Sequence, residues 1–136
     1  MSGTCLVMID LQNGFMNSHT AHLPEKLAGF LRTHHFDSVI ATRYCNTPDT
    51  ACSRLSAWKD CMQGTPDAEL VPEVQPFVQR IFDKHRFSGY TPALQRFVES
   101  AAFDTVYFCG VNTDCCVLAT VFACFDTVQD CAVISD

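Results

Sequence analysis

A chain of 136 residues is one domain's worth of protein, and its 48% hydrophobic and 18% charged content supplies a core and excludes intrinsic disorder. A net charge of −6 argues against a nucleic-acid or membrane partner, and no apolar run approaches the roughly 18 residues of a spanning helix. The start MSGTCLVMIDLQ has no basic region and its apolar run breaks at Asp10, so no signal peptide is read and a cytoplasmic location is expected.

Thr4–Ile9 (TCLVMI) is a continuous apolar run closed by Asp10, the pattern of a strand buried on both faces. Over residues 24–35, Leu27, Phe30, Leu31 and His34 recur at helical spacing. SVIAT at 38–42 predicts a second buried strand. The stretch 44–76, with four prolines and scattered polar residues, reads as a long irregular excursion of the kind that carries function. VQRIFD at 78–83 predicts a third strand. Thr91 and Pro92 then open a helix as N-cap and first helical residue, with Leu94, Phe97 and Val98 as its buried stripe. TVYFC at 105–109 predicts a fourth strand, and Gly110 its sharp exit. A helix over 113–125 is expected to bury Val117, Leu118, Val121, Phe122 and Phe125 on one face, and a fifth strand follows at 131–135.

This alternation predicts an α/β fold, a three-layer α-β-α arrangement around a mainly parallel, Rossmann-like sheet. Such sheets bind ligands at the carboxyl ends of their strands. The residues just past those ends are Asp10, Arg43, Lys84, the turn from Gly110 to Cys116, and Asp136. A carboxylate, an ammonium and a thiol therefore converge on one rim.

Nine cysteines are an odd count with no CxxC spacing, which argues against a disulfide scaffold and a zinc ribbon. Most lie inside apolar runs, where a free thiol packs as a small hydrophobe. Cys116 differs by position. With Thr113 as N-cap it falls in the first turn of a helix, where unpaired N–H groups stabilise a thiolate or an oxyanion. A buried helix cysteine fits the same letters. Asp10 reads either as a cap or as a desolvated carboxylate with a raised pKa that exchanges protons near neutrality. Lys84 reads either as a solvated lysine or as the cation that holds the other two. The histidines offer no clear partner for a thiol.

The blocks LVMIDLQNGF (6–15), WKDCMQGTPDAELVPEV (58–74), DKHRFSGY (83–90) and GVNTDCCVLAT (110–120) resemble those of the isochorismatase-like cysteine hydrolases, which include the nicotinamidases. They stand in that family's order and span nearly the whole chain. The resemblance implies a sheet of order 3-2-1-4-5 with a sixth strand absent from this chain, and a catalytic triad of Asp10, Lys84 and Cys116. It also implies a cis peptide between Val111 and Asn112 that turns backbone N–H groups of the Val111, Asn112 and Thr113 turn toward an oxyanion. Phe15, Trp58, Phe87 and Tyr90 become candidates for the wall of a substrate pocket.

Two departures from the pattern shape the expectations. Nicotinamidases of the family hold a metal through a DxH pattern after the second strand, whereas here the region reads TRYCNTPDTACSRLSAW with no histidine between His35 and His85; no metal and no cofactor are expected. Residues 1–136 are expected to form a single domain lacking the family's C-terminal helix, edge strand and final helix, which would leave a sheet edge for a partner to cover. The activity expected is an amidase-like hydrolase that cleaves a C–N bond of a small molecule through a thioester, in a homo-oligomer. The alternatives are isochorismatase-type vinyl-ether hydrolysis, which needs no nucleophilic thiol, and a non-catalytic remnant serving as a binding or assembly subunit. Oxidation of the adjacent Cys115 and Cys116 is a further, weaker reading.

Overall fold

A computed structural model describes residues 3–135. Its centre is β1 (Thr4–Ile9), whose residues from Cys5 to Ile9 are all fully buried. Strand alternation sends Cys5, Val7 and Ile9 to one face and Leu6 and Met8 to the other. A strand apolar at every position thus needs a layer on both sides. On the first face lie α3 (Pro92–Ala101) and α4 (Leu118–Phe125), packing through Leu94, Val98 and Cys124. On the second lie α1 (Leu23–Thr33) and the segment around Leu70, Val71 and Val74.

Five strands pair in the order β3-β2-β1-β4-β5, all parallel, as expected. The others are β2 (Ser38–Tyr44), β3 (Arg80–Lys84), β4 (Thr105–Gly110) and β5 (Cys131–Val133). Register sets Ile9 beside Thr42 and Gly110, and Tyr44 beside Lys84, so the carboxyl ends of β1 to β4 rise to one level. The third strand ends one residue later than its apolar pattern suggests, which places Lys84 inside the ladder. The fifth is shorter than expected, and the rim position Asp136 lies outside the described residues. Among the described residues no helix is long and apolar enough to cross a membrane.

Two elements differ from expectation. Residues 44–76 are ordered by short helices, including α2 (Ala51–Leu55), and by buried amides. Asn46 accepts from the Thr50 and Ser53 hydroxyls and donates to the Trp58 and Asp60 carbonyls. Gln12 donates to the Tyr44 and Ala68 carbonyls and accepts from the Tyr44 N–H. A buried amide satisfied on both ends holds its loop as firmly as a strand would.

The second difference is the phase of α4. Leu118, Phe122 and Phe125, expected inside, are exposed, and Cys116, Thr120 and Cys124 face the core instead. The segment is apolar on both sides, so periodicity alone leaves its rotation undetermined. Thr120 decides it: its hydroxyl donates to the Cys116 carbonyl at 2.6 Å and accepts the Gly89 N–H at 2.9 Å.

Gly110 has φ +127, and a Cβ there would lie 2.1 Å from the Ile9 carbonyl oxygen. Neither backbone can yield without breaking the β1–β4 ladder. Gly110→Ala is therefore expected to lower unfolding stability by about 3 kcal/mol, read from the urea midpoint at constant m-value.

Candidate functional site

Of the rim residues, Asp10, Lys84 and Cys116 meet where the strands end, whereas Arg43 lies within β2 and pairs instead with Asp83 and Glu69. Asp10 leaves β1 with φ 53, a left-handed conformation that an aspartate tolerates better than a branched residue. The turn swings its carboxylate inward: Oδ1 accepts the Thr42 hydroxyl at 2.9 Å and Oδ2 lies 2.9 Å from Lys84 Nζ. Both side chains are fully buried. The Lys84 ammonium also donates to the Arg86 carbonyl at 2.9 Å and the Phe87 carbonyl at 2.7 Å, so its charge is held by the ion pair and two backbone acceptors. Gly89 closes this arrangement from behind, because a Cβ there would come within 2.7 Å of Thr42 Cγ2 and 3.3 Å of Lys84 Cδ.

Cys116 follows the cis Val111–Asn112 peptide, in a π-helical turn over Thr113–Val117 that runs into α4. Asn112, rather than Thr113, is the N-cap, and its carbonyl accepts the Cys115 and Val117 N–H groups, each at 3.1 Å. The Cys116 thiol is buried and electrostatically coupled to Asp10 and Lys84. Burial first, and the Asp10 charge second, push it up to about 12, with Lys84 opposing. The benefit expected from a helix start is outweighed, and the resting group is a neutral thiol. Burial also raises the Asp10 carboxyl above its ordinary range, although Lys84, Cys116 and Thr42 all pull it down. A raised carboxyl beside a neutral thiol is a pair between which one proton can move.

Above Cys116 opens a cavity of about 510 Å³. Of the expected wall, Phe15, Trp58 and Phe87 line it, as does Asn112. Tyr90 does not; it packs in the core with its hydroxyl 3.4 Å from that of Thr127. Val111 is buried in the opposite core cluster, and Thr113 is exposed outside the lining. Sequence reasoning missed Tyr44, Cys52, Ser56 and Asp60, which the ordered excursion delivers to the cavity. The available signal was Asn46, a lone amide among turn formers, whose bonds to the Trp58 and Asp60 carbonyls bring that loop back over the site.

The side chains do not fit a metal of the nicotinamidase type. Among the described residues no three His, Cys, Asp or Glu side chains are grouped to hold an ion. Past β2 stand Tyr44, Cys45 and Asn46, and the Asn46 amide is fully engaged with protein groups.

The family model for the isochorismatase domain matches residues 4–136. No curated protein sequence matches significantly. Among solved structures, N-carbamoylsarcosine amidase from Thermoplasma acidophilum is 21% identical with a TM-score of 0.80, over 98% of this chain and 82% of that one. Pyrazinamidase of Pyrococcus horikoshii in complex with zinc is 23% identical with a TM-score of 0.82, over 96% and 83%. Yeast nicotinamidase bound to the inhibitor nicotinaldehyde is 16% identical with a TM-score of 0.83, over 96% and 85%. At these identities the likeness to solved structures is one of fold.

Proposed function

The chain belongs to the isochorismatase family of hydrolases, and from that premise we propose that it cleaves an amide-type C–N bond of a small molecule through Cys116. The observation that carries this reading is a buried thiol at the floor of an aromatic cavity, coupled to a fully buried Asp10–Lys84 ion pair.

Asp10 takes the thiol proton as Cys116 Sγ bonds to the substrate carbonyl carbon, and the carbonyl π electrons move to oxygen. We assign that oxyanion to the backbone N–H groups of Cys116 and the 112–113 turn, since the flanking amides of Cys115 and Val117 are committed to the Asn112 carbonyl. Collapse breaks the C–N bond, the amine leaves with the proton from Asp10, and a thioester remains on Cys116. Water then gives a proton to Asp10 and attacks the thioester; the acid departs and the proton returns to sulfur. Lys84 keeps Asp10 in place through their ion pair.

The names of the structural neighbours support this reaction class: amidase, pyrazinamidase and nicotinamidase all denote cleavage of amides. A panel of primary amides and ureides assayed by ammonia release tests it, with Cys116→Ala as the control. Turnover of at least one member, with an acyl adduct on the Cys116 peptide after rapid quench, is the expected result. Undiminished turnover in Cys116→Ala would end the mechanism.

A further inference from the structure

We propose that the cavity selects substrates that are cationic or neutral away from the scissile carbonyl and rejects anionic ones, with Asp60 and the aromatic wall of Phe15, Tyr44 and Trp58 as the selecting groups. The inference rests on the amidase reading and gives it a substrate class.

Among the described residues Asp60 is the only charged one lining the cavity, and no lysine, arginine or histidine lines it. Among the described residues the Asp60 carboxylate enters no ion pair. The adjacent Lys59 turns its ammonium to the Ser53 carbonyl at 3.0 Å. Lys84, 5.3 Å from the centre of the Tyr44 ring, is compensated by Asp10.

The aromatic groups form one surface. Phe15 and Trp58 stack with centroids 5.6 Å apart and planes 16° from parallel, and Tyr44 tilts against Trp58 at 5.8 Å. Ring faces carry negative potential and attract cations, and an unpaired carboxylate at the same cavity adds to that attraction. An anion entering here loses hydration and meets no counter-charge. The net charge of −6 over the whole chain acts in the same direction during approach. A cavity of about 510 Å³ accommodates a substrate built on a single ring.

Trp58 is the only tryptophan in the chain, so its fluorescence reports occupancy of this cavity directly. Three aromatic amides, each built on a single six-membered ring, serve as probes: nicotinamide, its methylpyridinium cation, and the anion 3-carbamoylbenzoate. Titrated into Cys116→Ala at low salt, the cation is expected to bind at least about fivefold tighter than the anion. Adding Asp60→Asn is expected to reduce that ratio by about threefold or more while nicotinamide binding stays within about twofold. Asp60 is exposed and only its backbone carbonyl supports the loop, so the variant keeps its fold. Equal or tighter binding of the anion, an unchanged ratio in Asp60→Asn, or no response to any probe would overturn the proposal. Selective binding with no ammonia released by the unsubstituted enzyme from these or other amides would uphold the charge selection and sink the amidase reading.

Discussion

Asp10→Asn is expected to abolish turnover and to lower unfolding stability by about 3–5 kcal/mol. The substitution keeps the size of the side chain, and asparagine accepts the left-handed backbone at φ 53 as readily as aspartate does, so it isolates the charge. Lys84 is then left fully buried beside two carbonyls with no counter-ion. Breaking a buried pair from one side leaves an uncompensated charge, whereas replacing both partners by apolar groups is often neutral. The double variant Asp10→Asn, Lys84→Met should therefore recover most of the lost stability and none of the activity. Urea unfolding followed by circular dichroism, with ammonia release on the same preparations, separates the two roles. A single variant within about 1 kcal/mol of the parent would show that the pair does not govern the stability of the rim.

Cys116→Ala is expected to lower kcat/KM by at least about a thousandfold while unfolding stability changes by about 1 kcal/mol. Only the sulfur is lost from a residue at the edge of the core, so the fold persists. Cys115→Ala, which alters the half-buried neighbour on the same cavity, should retain activity within a few-fold. The pH profile carries the same mechanism. Asp10 must be ionised to accept the thiol proton, and burial raises its pKa, so kcat/KM should fall as pH drops through a value above the ordinary carboxylate range. The thiol pKa of about 12 puts no alkaline limb below roughly pH 10, giving a one-sided profile instead of a bell. A bell centred near neutrality would assign the proton transfer to a different pair.

The central strands and the rim were legible in the chain because β1 is apolar at every position and ends in a charge. A run such as TCLVMI followed by aspartate has few other solutions than a doubly covered strand with its carboxylate at the sheet edge. The same logic placed Lys84 and the turn before Cys116, and the parallel register then brought all three together. Legibility failed where one-dimensional pattern is degenerate. The helix carrying Cys116 is apolar all round, and a side-chain hydroxyl on Thr120 fixes its rotation. Tyr90 has the composition of a pocket residue, yet it fills the core beneath α3 and α4, where only three-dimensional volume assigns it.

The electrostatic state of the site followed from tertiary structure as well. A cysteine at a helix start reads as an activated thiolate, but desolvation depends on every atom packed around the sulfur, and burial reverses the direction. Sequence alone determined the α/β class, the strand order implied by the resemblance, and the identities of the carboxylate, ammonium and thiol at the rim. Tertiary structure decided which face of α4 turns inward, how residues 44–76 close over the thiol, and that Asp60 is, among the described residues, the one charged residue lining the cavity. The physical reason is range: strand burial and end charges are written in neighbouring residues, whereas desolvation and cavity lining are sums over residues far apart in the chain.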